Sequence, residues 1–357
     1  MRIHPFLFTL FAVGLFFMFN WEAEATSAPN SKRLFIVHSY EDGHICGQPQ
    51  HDGALEVIKE AGWQPGDNLE VAVYHMDTKR RNNTNDLIDK QARIAQEEID
   101  KFKPDVVLTL DDNAFRTIAL PNSGSSTQYV FSGLNGQPEM YDKKNKFMHN
   151  RSIPGGNITG VYEKLYIREA IQVLSNMHEI NTILFLGDNS PTGQAISKQV
   201  ELELLPGQNL QQLPCKTQQL TVDSWESFVA SVQAINEHLD IGAFYLGTLL
   251  LKDAKGQTYT APYIIEYTLL HAKKPAIGLN YAFIKLGLYG GATVDFYAMG
   301  QLAGEKIVKV FNGQKAGSSP IEDAPRVAFV FNLKRAEQLG MVIPVDILMA
   351  ADEVFRK

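Results

Sequence analysis

The feature that most constrains the fold is an alternation of short apolar runs with longer amphipathic stretches, which begins at Lys32. The short runs are rich in β-branched and aromatic residues, which is typical of buried strands, and the longer stretches have the apolar spacing of helices. Buried strands separated by helices indicate a parallel sheet covered on both faces, and therefore an α/β fold. The predicted strands are residues 34–37, 69–74, 105–110, 128–131, 182–186, 243–246, 275–279 and 326–331, and the predicted helices are residues 54–62, 85–102, 194–204 and 295–312, with short helical pieces over 332–355.

The alternation pauses between residues 134 and 160, a stretch rich in Gly, Asn and Pro, and then restarts. Two series of strands and helices separated by an irregular stretch predict two similar lobes. The length agrees, because a chain of 357 residues is longer than a single hydrophobic core usually serves. The sequence therefore predicts two Rossmann-like lobes, each built on a parallel sheet.

The amino terminus has the pattern of a secretory signal peptide over residues 1–25. A short basic start is followed by an apolar run from Phe6 to Phe19, and the small residues Ala23 and Ala25 precede Thr26. The alternative is a membrane anchor, but the apolar run is shorter than the roughly 20 residues that span a bilayer. We therefore expect cleavage and secretion.

Composition and charge exclude several classes of protein. With 45% hydrophobic and 20% charged residues, the chain is not a disordered one. A net charge of -7 argues against nucleic-acid binding. The only sharp basic cluster, Lys79 to Arg81, is the kind of run that usually forms a solvated surface. Two cysteines, Cys46 and Cys215, lie far apart in a chain with two predicted lobes, which favours two separate thiols over a disulfide.

Polar residues follow most of the predicted strands. In open α/β sheets ligands bind beyond the carboxyl ends of the strands, so these residues predict a cleft that suits a small polar ligand. Helix N-termini near the cleft favour a ligand with a carboxylate. The candidate ligand-binding residues are Ser39, Tyr40, Asp111, Asp112, Asn113, Asn135, Asn189, Ser190, Thr192, Gly247, Thr248, Asn280, Tyr281 and Asp295.

Sequence alternatives with a catalytic or metal-binding role are weaker. Asp111 and Asp112 are adjacent at a strand end and point different ways, which favours hydrogen bonding or helix capping over a shared catalytic proton. The set His38, His44, Cys46 and His51 matches no standard zinc spacing. Residues 155–160 lack the Lys-Ser/Thr of a phosphate-binding loop and are better interpreted as the turn into the second lobe. We expect no catalysis, no metal and no cofactor.

Several segments resemble the ABC-transporter substrate-binding proteins of the tryptophan/tyrosine-binding type, closest to the branch that also serves as extracellular sensor domains. Singly these segments are only moderately specific, but their order and spacing extend over nearly the whole chain after residue 32. The matching segments are residues 38–40 (HSY), 76–80 (MDTKR), 104–107 (PDVV), 111–114 (DDNA), 130–135 (VFSGLN), 154–160 (PGGNITG), 291–300 (GATVDFYAMG) and 332–336 (NLKRA) leading to 339–340 (LG).

The resemblance implies the type I periplasmic-binding fold, in which the chain crosses three times between two lobes that close on a ligand by a hinge motion. It places the crossings near residues 136–160, 280–292 and 313–325. The first lobe would then contain residues 32–135 and 281–314, and the second would contain residues 155–280 and 320–357.

The same resemblance implies a periplasmic, monomeric receptor that captures an amino acid or a related carboxylate or aromatic compound for an ABC permease. Ser190 and Thr192 would then hold a carboxylate, and Tyr40 or Tyr281 would cover the side chain. Amino-acid binders of the family tend to carry an acid after the strand at 243–246, but this chain has none there, so Asp111 or Asp112 would take an ammonium group. The alternative is a sensor subunit that presents its ligand-bound form to a membrane signalling protein.

Overall fold

The computed structural model of the chain describes residues 31–205, 212–247 and 250–356. The predicted signal peptide, residues 1–25, lies outside the described residues. Among the residues that are described, no helix is both long and apolar enough to cross a membrane. The strands, in chain order, are β1 (Lys32–His38), β2 (Leu69–His75), β3 (Val106–Leu110), β4 (Gln128–Leu134), β5 (Ile158–Tyr162), β6 (Thr182–Asp188), β7 (Lys216–Val222), β8 (Ile241–Gly247), β9 (Leu250–Lys252), β10 (Thr258–Thr260), β11 (Ala276–Gly278), β12 (Gly290–Val294), β13 (Glu322–Asp323), β14 (Val327–Asn332) and β15 (Glu353–Phe355).

The helices separate these strands much as the sequence predicts. A π-helical turn, Phe115–Ala119, follows α3 directly. The α-helices are α1 (Gly47–Glu60), α2 (Asn85–Phe102), α3 (Asp111–Ala114), α4 (Pro138–Lys144), α5 (Ile167–Met177), α6 (Pro191–Leu204), α7 (Trp225–Glu237), α8 (Ala261–His271), α9 (Tyr281–Lys285), α10 (Phe296–Phe311), α11 (Leu333–Gln338) and α12 (Val345–Ala350).

The first lobe is built on a six-stranded parallel sheet in the order β13-β5-β4-β3-β1-β2. Its central strand β3 is buried along its whole length, as expected for a strand covered on both faces. Helices α1 and α10 contact one another and share contacts with β4, whereas α2 packs near β1 and the π-helical turn. The first lobe therefore combines five strands from the first half of the chain with β13 and α10 from its last quarter.

Helices α1 and α10 pack closely because glycine lies where their backbones meet. A Cβ atom on Gly300 would lie 2.1 Å from the carbonyl oxygen of Gln50, and one on Gly53 would lie 2.3 Å from that of Tyr297. Neither position has room for a side chain. The Gln301 amide also donates a 2.7 Å hydrogen bond to Glu56 across the pair.

The second lobe contains a four-stranded parallel sheet in the order β11-β8-β6-β7. A three-stranded sheet, β12-β14-β15, joins it through the contact of β12 with β11. Strand β6 is fully buried, whereas the edge strand β7 is mostly exposed and polar. The lobe is thus an α/β layer structure, and its buried residues belong to the same large hydrophobic cluster as those under the first sheet.

The chain passes between the lobes at residues 163–166, at Asp295 and at residues 324–326. The sequence places the first two passages earlier, near 136–160 and 280–292. The first comes later because residues 158–162 form β5 and pair with β4 in the first sheet. The second comes later because α9 and β12 pack in the second lobe, where β12 pairs with β14.

Candidate functional site

A small cavity lies between the two lobes, beyond the carboxyl ends of the first-lobe strands. Its volume is about 20 Å³, little more than the space that one water molecule occupies. We call it the inner cavity. It is lined by Tyr40, Cys46, Lys79, Asp111, Asn135, Glu163 and Phe296 from the first lobe and its edge, and by Thr192, Ile196, Leu279, Asn280 and Phe283 from the second.

Five consecutive strands of the first sheet each deliver one polar residue to this cavity. Tyr40 and Lys79 lie in the loops that follow β1 and β2, and Asp111, Asn135 and Glu163 follow β3, β4 and β5 directly. Because parallel strands all end at the same edge of the sheet, these residues converge although they are far apart in sequence.

One lysine and two carboxyl side chains of the inner cavity are buried together. Lys79, Asp111 and Glu163 are 7%, 3% and 5% exposed. Burial raises the pKa of Asp111 to about 7, against the opposing effect of the Lys79 ammonium. Burial, reinforced by the charge of Asp111, also raises the pKa of Glu163. Buried charges are costly unless they meet a partner, and clusters of this kind are typical of functional sites.

Asp111 has a strained backbone conformation and one carboxylate oxygen without a hydrogen-bond partner among the described residues. Its φ angle is +66°, in the left-handed region that residues other than glycine rarely adopt. The Gln50 amide lies 3.5 Å from Oδ1. Oδ2 is buried and has no hydrogen-bond partner among the described residues. One oxygen of a buried carboxylate is therefore free to accept a hydrogen bond from a ligand.

The Lys79 ammonium rests on an aromatic ring. Its Nζ lies 3.8 Å from the centroid of the Tyr40 ring, which is a favourable cation–π distance. The ring of His44 packs against the same tyrosine at 4.4 Å. Tyr40 therefore holds the lysine in place and is covered by it.

The second-lobe side of the inner cavity is uncharged. The Asn280 side-chain oxygen accepts a 3.2 Å hydrogen bond from the Phe283 amide and so caps α9. Its Nδ2 lies 4.0 Å from Cys46 Sγ in the other lobe. Burial raises the pKa of that thiol, which keeps it neutral. The Thr192 hydroxyl interacts with the phenol of Tyr40.

A direct hydrogen bond joins the lobes beside the cavity. The Gln137 amide donates to Gln199 Oε1 of α6 at 2.8 Å and to the Tyr162 hydroxyl at 2.8 Å. Its own oxygen accepts from Arg151, which also pairs with Asp323 at 3.0 Å. Separation of the lobes would break the Gln137–Gln199 hydrogen bond.

Five of the residues proposed from the sequence line the inner cavity: Tyr40, Asp111, Asn135, Thr192 and Asn280. The other first-lobe candidates lie next to it. Ser39 Oγ donates to the Leu110 carbonyl at 2.6 Å and accepts from the Ala114 amide at 2.8 Å. Asn113 donates to the Thr78 hydroxyl at 3.0 Å. These two side chains fix the loops that carry cavity residues.

Asp112 likewise holds a loop, the one that follows β4, by hydrogen bonds. Its carboxylate accepts from the Asn135 amide nitrogen (3.2 Å) and side chain (2.9 Å), from the Gly136 amide (3.2 Å) and from the Tyr141 hydroxyl (2.6 Å). Four donors saturate its oxygens. It therefore positions Asn135 and does not line the cavity itself.

The second-lobe candidates divide in the same way. Ser190 caps α6 by accepting from the Gly193 amide at 3.1 Å, and Asn189 is exposed. Gly247 does not line the inner cavity but lies next to two residues that do, since a Cβ atom on it would be 3.6 Å from Leu279 and 3.7 Å from Ile196. Thr248 lies outside the described residues.

Tyr281 and Asp295 line a different cavity, near the second and third passages between the lobes. The Tyr281 ring lies 5.9 Å from that of Phe355. Asp295 caps α10 and pairs with Arg326 at 2.8 Å. Tyr281 is therefore not placed to cover a ligand in the inner cavity.

Sequence reasoning missed two of the three buried charges. The basic run at 79–81 predicts a solvated surface, which fits the half-exposed Arg80 and the exposed Arg81. Lys79 differs because Thr78 is tied to the Ser39 carbonyl at 2.7 Å, which draws the loop against the sheet. Glu163 was missed because the strand before it, β5, lies in a Gly- and Asn-rich stretch and was not predicted. A predicted strand at 158–162 would have identified Glu163 by the strand-end rule.

Three histidines near the site form a cluster around buried His38. His38 Nε2 lies 2.8 Å from His51 Nδ1, and the His38 ring lies 4.4 Å from that of His75. Burial and these two neighbouring imidazoles lower the pKa of His38 to about 3. Across the described ranges, no group of three side chains is arranged to hold a metal ion.

The comparisons with known proteins agree with this architecture. The family described as "ABC transporter substrate binding protein" matches residues 144–355. No curated protein sequence matches the chain. A conserved domain protein from Vibrio cholerae shares the fold with a TM-score of 0.68 and 19% identity, over 91% of this chain and 99% of that one.

Two further solved structures share the fold. One is an ABC domain from Streptococcus pneumonia in complex with L-Trp, with a TM-score of 0.65 and 18% identity over 91% of this chain and 100% of that one. The other is a substrate binding protein with adhesive properties from Clostridium difficile, in a ligand-free, open structure. It has a TM-score of 0.65 and 14% identity over 91% of this chain and all of that one.

Proposed function

This chain belongs to the ABC transporter substrate-binding protein family, and from that premise we propose that it captures an α-amino acid or a close relative between its lobes. The family consists of proteins that bind small ligands and are not enzymes, and this fold is the two-lobed type I periplasmic-binding fold. The identity of the ligand is the part of the proposal that rests on the side chains of the inner cavity.

The observation that carries the proposal is the buried trio of Lys79, Asp111 and Glu163. The head of an α-amino acid presents an ammonium and a carboxylate a few ångströms apart. Asp111, with its free Oδ2, and Glu163 would receive the ammonium, and Lys79 with the start of α6 at Thr192 would receive the carboxylate. Each buried charge would then have an opposite charge beside it, which offsets its desolvation.

The size of the inner cavity supports capture by hinge motion. A cavity of about 20 Å³ is too small to hold an amino acid. The lobes must therefore separate for a ligand to enter, with loss of the Gln137–Gln199 hydrogen bond, and then close on it. Closure would bury the head group and strengthen its electrostatic contacts.

The proposed place of action is the periplasm, reached through cleavage of the signal peptide at residues 1–25, with the chain acting as a monomer. The proposed partner is an ABC permease. We expect the ligand-loaded chain to stimulate ATP hydrolysis by a permease encoded beside its gene, reconstituted in vesicles. Ligand binding without any stimulation would support the sensor role in place of delivery.

Ligand binding is tested on protein that has been unfolded, dialysed and refolded. Melting temperatures and calorimetric dissociation constants are measured with each standard L-amino acid. The same measurements are made with the amine that lacks its carboxylate and with the carboxylic acid that lacks its ammonium group. A ligand at a hundredfold excess over its dissociation constant adds about 2.7 kcal/mol to the free energy of unfolding. For a protein of this size that shift is several degrees, at roughly 2–4 °C per kcal/mol.

We expect one group of amino acids to raise the melting temperature, and their single-ended analogues to bind at least about tenfold more weakly. Equal binding of an amine or an acid would contradict the two-charge head group. Failure of every amino acid to bind would contradict the proposal as a whole.

A further inference from the structure

A second and much larger cavity adjoins the inner one. It has a volume of about 440 Å³ and shares Asn135 with the inner cavity. We call it the outer chamber. It is lined by Arg116, Asn135, Gly136, Gln137, Met140, Tyr141 and Lys144 from the first lobe, and by Gln194, Ala195, Lys198, Gln199 and Leu202 from α6 of the second lobe.

Helix α6 connects the two spaces. Its first turns contribute Thr192 and Ile196 to the inner cavity, and residues along the same helix as far as Leu202 line the outer chamber. A ligand whose head group lies in the inner cavity would therefore extend along α6 into the outer chamber. The inner cavity, at about 20 Å³, must widen to admit a head group, whereas the outer chamber, at about 440 Å³, already has room for a side chain.

The charges that face the outer chamber are positive. Arg116, Lys144 and Lys198 line it, and the described part of its lining contains no acidic residue. Among the described residues, half-buried Arg116 makes one hydrogen bond, to the side-chain oxygen of Asn113 at 3.4 Å. Lys198 pairs with Glu201 at 2.7 Å in an exposed ion pair of the kind that contributes little. Lys144 is exposed and makes no ion pair with any residue that the structure describes.

The half-buried carboxylate of Asp112 makes no ion pair with these cations among the residues that the structure describes. Asp112 lies behind the lining, and its oxygens are occupied by the Tyr141 hydroxyl, the Asn135 side chain and two backbone amides. The outer chamber therefore presents cations from both lobes to whatever enters it.

We propose that the outer chamber holds the side chain of the bound amino acid and selects one that ends in an anion, either a carboxylate or a phosphate. This inference rests on the proposed function, since it needs the head group in the inner cavity. Arg116 is the principal contact because it is half-buried and has a planar, bidentate donor group. Met140 and Leu202 would contact the methylene groups between head and anion. Among the described lining residues Tyr141 alone supplies an aromatic ring, so a large aromatic side chain is disfavoured.

The test uses pairs of probes that differ only in the terminal charge. L-glutamate is compared with L-glutamine, and O-phospho-L-serine with L-serine, by calorimetry on the refolded chain. L-2-aminoadipate extends the series by one methylene group. We expect the anionic member of at least one pair to bind about tenfold more tightly or better, with an advantage that shrinks as salt is raised.

Arg116→Gln assigns the effect to the outer chamber. We expect it to weaken the anionic probe at least about tenfold and to change the neutral probe less than about threefold. Lys198→Gln should give a smaller loss in the same direction. Lys143→Gln is the matched control, because Lys143 is exposed on α4 beside Lys144 and does not line the chamber. Melting temperatures verify that each variant is folded.

Two results would overturn the inference and leave the proposed function intact. The first is equal or tighter binding of the neutral member of every pair. The second is an Arg116→Gln variant that weakens neutral and anionic probes alike. If no amino acid binds, the proposed function itself is wrong.

Discussion

The first-lobe wall of the inner cavity carries all of its charges, whereas the second-lobe wall is uncharged. Lys79, Asp111 and Glu163 come from the ends of first-sheet strands. The facing side consists of Thr192 and Asn280 with three apolar residues. The two lobes are both α/β layers, so this difference does not follow from the fold. It belongs to the residues placed at the strand ends.

The contrast implies a division of roles. The charged wall would recognise the ligand in the open form, because its residues are held by one rigid sheet. The neutral wall would then exclude water, which strengthens every contact already made. Affinity should therefore depend steeply on first-lobe charges and only weakly on second-lobe groups. Three predictions on affinity, given in order of expected effect, and one on stability test this asymmetry.

The largest effect is expected for Asp111→Asn. The substitution keeps the shape of the side chain and removes the charge that faces the ligand ammonium. We expect about a hundredfold loss of amino-acid affinity, about 2.7 kcal/mol, by calorimetry at pH 7.5. Asp105→Asn is the matched control, since Asp105 is exposed and precedes the opposite end of β3. Unchanged affinity in Asp111→Asn would remove the charged wall from recognition.

The next effect is the pH dependence of binding. An ammonium binds the ionised form of Asp111, whose pKa is about 7 before binding. Affinity should therefore fall by about twentyfold from pH 7.5 to pH 5.5, because the carboxyl becomes protonated. His38, with a pKa of about 3, stays neutral over this range. Calorimetry in two buffers of different ionisation enthalpy should detect proton release near pH 6.5. Affinity that rises on acidification would contradict the assignment.

The stability of the free protein should show the opposite trend. The pKa of Asp111 is higher in the folded state, at about 7, than its ordinary value of 3.8. Its protonated form therefore favours folding at low pH, and this contribution is lost as pH rises through about 7. In Asp111→Asn both trends should flatten, which a series of thermal melts would reveal.

The smallest effect is expected for Thr192→Val on the neutral wall. The change removes one uncharged hydroxyl and keeps the β-branched shape. A hydrogen bond of this kind contributes about 0.5–1.5 kcal/mol, so affinity should fall roughly threefold to tenfold. Stopped-flow measurements should place most of the loss in the dissociation rate. A loss as large as that of Asp111→Asn would show that the walls share recognition equally.

The fold was predictable wherever burial leaves a clear pattern in the sequence. Helix α2 has the predicted bounds 85–102, because its apolar face repeats regularly and Thr84 caps it. The apolar strands β3 and β6 were also predicted. Strand β7 was missed because it is a polar edge strand, and β5 was missed among glycines and asparagines. Both obtain their strand conformation from a neighbouring strand and not from their own composition.

The candidate site was predictable where a residue directly follows a recognisable strand. That rule selected Asp111 and Asn135, but it also selected Asp112 and Ser39, which hold loops. Adjacent residues at a strand end point to different sides, and only the folded backbone decides which faces the cavity. Lys79 was beyond reach because its burial depends on a loop held by Thr78. From sequence alone a charged residue is predicted to be exposed, and only the tertiary packing shows when it is buried.

The glycine-mediated contact of α1 with α10 also has a consequence for the order of folding. The hydrogen bond between Gln301 and Glu56 joins residues 245 positions apart. Contacts of such large sequence separation form slowly, because a long loop must be closed first. The sheet of the second lobe, from β6 to β11, is contiguous in the chain and complete by Gly278. During synthesis the four-stranded sheet of the second lobe can therefore form before α10 has been made and has packed against α1 in the first lobe.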